Sequence, residues 1–105
     1  MSERSELTRL SFWIFMYYVY VLFLKKHHEL YKGYTDNLKK RWSEHARELV
    51  ESTRNKGPLE IAYYEAYQNK KDAMDRERYF KTGWGRLYLK KILKNYIQES
   101  KNPKI

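Results

Sequence analysis

Met16–Leu24 reads MYYVYVLFL, and Leu30–Thr35 reads LYKGYT after the turn Lys25–Glu29 (KKHHE). The first run is β-branched, aromatic and uncharged, the composition of a fully buried strand. The charged turn is short enough to close an antiparallel hairpin onto the second run. The uncharged stretch reaches back to Leu10 (LSFWIFMYYVYVLFL), fifteen residues in all. A membrane helix needs about 20 apolar residues, so this run falls short of a span. It ends on Lys25-Lys26-His27-His28 rather than on small residues, which argues against a signal peptide. A strand starting near the second methionine, Met16, is therefore expected, with residues 1–15 as an N-terminal extension.

Downstream, Thr35-Asp36-Asn37 offers helix-capping chemistry. Leu38, Trp42, Ala46 and Leu49 follow as one apolar stripe at helical spacing. Arg54-Asn55-Lys56-Gly57-Pro58 breaks that helix. Leu59–Tyr67 (LEIAYYEAY) predicts a third strand, with Ile61 and Tyr63 on one face and Ala62, Tyr64 and Ala66 on the other. Asn69 and Lys70-Lys71-Asp72 open a second helix, expected to end at Gly83. Leu87, Leu89, Ile92, Leu93, Tyr96 and Ile97 mark a third, with Lys90, Lys91 and Lys94 on its outer face. The expected fold is a small α/β (α+β) domain over 16–99: a three-stranded, mainly antiparallel sheet flanked by three helices, in the order ββαβαα, with 100–105 as a tail.

At 105 residues the chain has room for one modest core. With no cysteine, disulfides, thiolate zinc sites and a cysteine nucleophile are excluded. The net charge is +9 and the pI about 9.7. Residues 1–69 carry 11 basic and 9 acidic side chains, and residues 70–105 carry 11 and 4. So basic a domain favours polyanions. Eleven tyrosines rule against a disordered tail. No Gly-rich phosphate loop, HExxH or EF-hand motif is present.

Three groups of residues resist a purely structural explanation. Glu77 falls between Ala73 and Phe80 on the apolar stripe of the second helix. It is either a buried ion pair with a basic neighbour or a carboxylate facing a polar site, where it could hold a hard cation. Arg41 and His45 sit one turn apart on the first helix, and two neighbouring cationic groups there favour an anion such as phosphate between them. Tyr18, Tyr20 and Tyr31 form either a packing ladder or a site containing an activated phenol.

Together these residues resemble the GIY-YIG nuclease family. Tyr18-Val19-Tyr20 stands at the GIY element and Tyr31-Lys32-Gly33 at YIG. The continuation through Arg41 and His45 follows the family's steps, and Asp75-Arg76-Glu77 carries its glutamate. The likeness is strongest to small stand-alone members similar to the nuclease domain of the bacterial excinuclease C subunit. Tyr18 replaces the first Gly, Lys32 the apolar middle residue, and Tyr34 the Lys that excinuclease-type members have after the YIG glycine.

The resemblance implies a cytoplasmic endonuclease acting on DNA, duplex or branched, in repair or processing, with one Mg²⁺ or Mn²⁺ on Glu77. Tyr20 would be general base, Tyr31 would position water or phosphate, Arg41 would neutralise charge on phosphorus, and His45 would hydrogen-bond Tyr20 or the phosphate. Lys32, Tyr34, Lys70, Lys71, Lys90, Lys91 and Lys94 are the expected DNA contacts. An ordinary Tyr titrates near pH 10, so Tyr20 as a base requires a lowered pKa. The competing readings are a non-catalytic nucleic-acid-binding module and a membrane- or partner-docking protein using residues 1–15.

Overall fold

The computed structural model describes residues 15–101. All but the last residue of the expected extension, and residues 102–105 of the expected tail, lie outside the described residues. Strands β1 (Tyr17–Leu24) and β2 (Glu29–Thr35) form the expected hairpin. Helix α1 (Leu38–Ala46), β3 (Leu59–Tyr67), α2 (Lys70–Phe80), α3 (Gly83–Ile92) and α4 (Lys94–Lys101) follow. β1 lies at the centre, antiparallel to both neighbours, in the order β2-β1-β3. The α+β fold is the one expected, with four helices rather than three among the described residues.

Val19 through Leu24 are each no more than 3% exposed. Both faces of β1 are therefore covered, and each large apolar side chain so buried contributes about 1.5–3 kcal/mol. On one face Val19 and Val21 meet Ala73 and Phe80 of α2, Leu89 of α3, and Leu93. An ion pair lies beside this core. Arg76 donates to both carboxylate oxygens of Glu65 at 2.9 and 3.1 Å, and Tyr63 and Tyr67 each donate to Glu65 at 2.6 Å. The guanidinium also lies over the rings of Tyr79, Phe80 and Tyr88. Burial alone would raise the Glu65 pKa, but these donors hold it below the usual carboxylate range. The partner of Glu65 on α2 is thus Arg76, one residue before Glu77.

A β-bulge alters the expected faces of β3. Val21 pairs with Tyr63 and Leu22 with Ile61, leaving Ala62 as the extra residue. Ile61 and Tyr63, expected on one face, therefore point to opposite faces. Tyr63 packs with the α2–α4 core, while Ile61 lies beside Tyr18 and Trp42.

The helix boundaries also differ from expectation. Gly83 does not terminate the second helix. α2 ends at Phe80, and Thr82 caps α3 by accepting from the Gly85 N–H at 3.1 Å. α3 and α4 share one apolar period because Leu93 N donates to Leu89 O and Ile97 N to Leu93 O, so the ladder nearly continues across the break. α1 stops at Ala46, leaving Ala46 exposed and Leu49 61% exposed, outside the stripe that was to bury them.

Gly85 is where α2 and α3 come into closest contact: a Cβ there would overlap the Tyr79 carbonyl, whereas one at Gly83 meets open space. Gly85→Ala should cost about 1–3 kcal/mol by overpacking. Gly83→Ala should be neutral or stabilising by up to about 1 kcal/mol. Urea denaturation of the two variants checks the contrast.

Candidate active site

The register of the hairpin places Tyr20 opposite Gly33. A Cβ on Gly33 would overlap the Tyr20 ring and hydroxyl, so the phenol crosses β2 only because that residue has no side chain. Tyr20 is 2% exposed, and its hydroxyl lies 2.9 Å from Nε2 of His45. His45, on the last turn of α1, is 1% exposed.

The end of α1 completes the pocket. Glu48 N donates to His45 O at 3.0 Å and Leu49 N to Glu44 O at 2.9 Å, the two bonds of a Schellman stop. Glu48 occupies its left-handed position at φ 59°, where glycine is usual and another residue costs roughly 1–2 kcal/mol. The chain turns back and brings Thr53, 2% exposed, to within 2.7 Å of His45 Nδ1. Both ring nitrogens of a buried histidine are thus partnered. Thr53 was not anticipated from sequence, because it lies in a segment read as helix.

Arg41 Nε donates to the Tyr20 oxygen at 3.3 Å, and its Nη1 donates to Glu44 at 3.0 Å. Tyr31 packs edge-on against His45, and its hydroxyl accepts from Ser52 at 3.1 Å. Burial, and then the charge of Arg41, push the His45 pKa down to about 4, so the imidazole is neutral at pH 7. Burial pushes Tyr20 up to about 12 despite the opposing hydrogen bond from Arg41. That is opposite in direction to what an isolated phenolic base would need.

Tyr20, Tyr31, Arg41 and His45 are therefore brought together. Glu77 stands nearby on α2, close enough that its charge also raises the Tyr20 pKa. Its carboxylate pairs with Lys81 at 3.1 Å and is 23% exposed. Such an i,i+4 pair contributes about 0.3–0.5 kcal/mol, leaving the carboxylate open to a hard cation. Among the described residues no three His, Asp or Glu side chains converge on a metal position. The site fits a divalent ion held in the one-carboxylate manner, completed by water and phosphate, rather than a protein cage.

The expected DNA contacts are dispersed. Lys70 and Lys71 begin α2, and Lys91 is exposed on α3. Tyr34 stacks on Tyr17 beside the helix-covered core. Lys32, Lys90 and Lys94 line a groove with Arg86.

The GIY-YIG catalytic domain matches residues 16–91. A UPF0213 protein of Clostridium perfringens is 42% identical over 67 residues, covering 63% of this chain and 71% of its own. One from Bacillus pumilus is 42% identical over 71 residues, 67% of each chain. A Streptococcus pyogenes relative is 36% identical over 74 residues, 70% of this chain and 80% of its own. No solved structure matches. With the domain matched from Met16 across both tyrosine motifs to Glu77 and beyond, the chain belongs to the GIY-YIG family.

Proposed function

We propose that this chain is an endonuclease hydrolysing DNA phosphodiester bonds, duplex or branched, in repair or processing, with one Mg²⁺ or Mn²⁺ on Glu77. The observation that supports it most is the Tyr20 hydroxyl held between His45 Nε2 at 2.9 Å and Arg41 Nε at 3.3 Å. When bound, the ion would polarise the scissile phosphate and stabilise the leaving oxygen.

The residues of the chain account for the proton. Arg41 can only donate, so the Tyr20 oxygen accepts from it and keeps its own hydrogen for His45 Nε2. His45 Nδ1–H then donates to Thr53 Oγ1. A lone pair of the phenol oxygen is left for the attacking water. As water transfers its proton to Tyr20, the phenolic proton moves to Nε2 and makes His45 an imidazolium, whose charge is offset by the negative charge developing on the phosphate, so no resting phenolate is needed. This reconciles the base role with a Tyr20 pKa of about 12. Arg41, whose exposed pair with Glu44 is weak, exchanges that partner for the phosphate and offsets its developing charge. Tyr31 and Ser52 position water or phosphate.

Single-turnover cleavage of labelled duplex and branched DNA in Mg²⁺ or Mn²⁺ is the central test; no cleavage of any substrate would leave only a binding module. Arg41→Ala should slow the reaction by about 10²–10³. Glu77→Ala should abolish it while leaving DNA binding in EDTA intact or tighter.

Thr53→Val should strand the buried Nδ1–H, cost about 1–3 kcal/mol, and reduce the rate. Thr53→Ser should restore both rate and stability. The ¹⁵N shifts of His45 should report the Nδ1–H tautomer in the native protein and a mixture in Thr53→Val.

His45 also sets a pH window. Its folded pKa of about 4 lies below the ordinary value of 6.5. The unfolded chain therefore takes up a proton first as pH falls, and stability should be full above about pH 6.5 and decline towards pH 4. Melting curves of the native protein and His45→Gln should show a shallower decline in the variant.

A further inference from the structure

Alternate residues of β2 serve two surfaces. Tyr31 and Gly33 face the tyrosine–histidine pocket, while Lys32 faces the other side of the sheet, towards α3 and α4. There a groove of about 690 Å³ has Lys32, Arg86 and Lys90 on its walls and Leu30 and Leu89 in its floor. Glu29 is the sole carboxylate among its lining residues.

The cations in this groove are gathered without compensation. None of Lys32, Arg86 and Lys90 takes part in an ion pair among the described residues. Lys32 Nζ has only the Leu30 carbonyl, at 3.4 Å. Burial, and then the charges of Arg86, Lys81 and Lys90, hold the Lys32 ammonium below its usual pKa. Like charges at this density oppose folding, and an anion between them would remove the repulsion. The groove also adjoins the pocket electrostatically: Lys81, whose charge acts on Lys32, pairs with Glu77, whose charge acts on Tyr20.

We infer that the groove is a phosphodiester subsite, in which Lys32, Arg86 and Lys90 hold consecutive DNA backbone phosphates across the β2 edge from the Tyr20 pocket. Arg86 can offer a bidentate fork and the lysines point charges, with sugar against Leu30. The proposal rests on the reading of DNA as substrate.

The test compares the charge-removing triple variant Lys32→Gln, Arg86→Gln, Lys90→Gln with a control removing three exposed charges elsewhere, Lys26→Gln, Arg47→Gln, Arg54→Gln. Binding of a labelled oligonucleotide is measured in EDTA across a salt series, with melting curves confirming that each variant folds. Each lost phosphate contact lowers the log–log salt slope by about 0.9. The groove variant should therefore lose about 2 to 3 in slope and more than tenfold in affinity at low salt, and the control less than 1 in slope. The charge-preserving variant Lys32→Arg, Arg86→Lys, Lys90→Arg should keep most of both. Equal losses in groove and control variants, or complete competition by millimolar inorganic phosphate, would overturn the subsite. Cleavage by a protein whose groove variant binds normally would overturn the subsite and leave the nuclease reading standing. Groove-dependent binding without cleavage would do the reverse.

Discussion

The phenol of Tyr20 lies across the backbone of Gly33, and the arrangement of the pocket follows from that contact. A side chain at position 33 would overlap the ring. The hairpin register that pairs these two residues also puts Tyr31 beside His45. Because strand residues alternate in direction, a slip of one position would exchange Tyr20 for a valine on this face and carry the pocket into the hydrophobic core. The glycine is needed for space rather than for backbone freedom: among the described residues Gly57 is the glycine with positive φ.

The sheet keeps two kinds of polar burial apart. On the α2–α4 side, Glu65 receives hydrogen bonds from Arg76, Tyr63 and Tyr67. That network is saturated and local, and it ties β3 to α2. Breaking one member would leave an uncompensated charge, typically a cost of about 3–5 kcal/mol. On the other side, Tyr20, His45 and Thr53 form a chain of neutral groups ended by a single cation, Arg41. A proton passed along it leaves His45 an imidazolium, a charge that burial opposes and that an adjacent anion would offset. Each network suits its place, one fixing the core and the other able to change its protonation.

Much of this was legible in the residues. Uncharged, β-branched MYYVYVLFL and the short turn after it have few solutions other than a buried strand in a hairpin, and the central strand is the most buried element of the sheet. The grouping of Tyr20, Tyr31, Arg41 and His45 was likewise readable from the order of motifs. What was hidden had local causes. The stop after Ala46 uses Glu48 in a conformation that glycine normally marks, so nothing signalled that Thr53 would return to His45. The bulge at Ala62 has no sequence signature, and it reversed the face of Ile61 relative to Tyr63. Leu93 interrupts a helix without interrupting its apolar period. Glu77 looked buried because Ala73 and Phe80 flank it, yet it is part-exposed and paired with Lys81, while Arg76 beside it pairs with Glu65.

The part-exposed position of Glu77 suits the metal-holding role proposed for it. A carboxylate held as Glu65 is, by a bidentate guanidinium and two phenols, would be closed to exchange. One in open water would exert little influence on Tyr20, since exposed charges are screened over about 10 Å. At 23% exposure, with a partner one turn away, Glu77 is felt by the Tyr20 phenol and can release Lys81 at small cost. Lys81 in turn lies within the field of Lys32, so whatever draws Glu77 away from Lys81 leaves one more uncompensated cation facing the basic groove. A cation arriving at Glu77 and a phosphate arriving near Lys32 would therefore assist one another through this single helical ion pair, because each offsets the charge that the other leaves exposed.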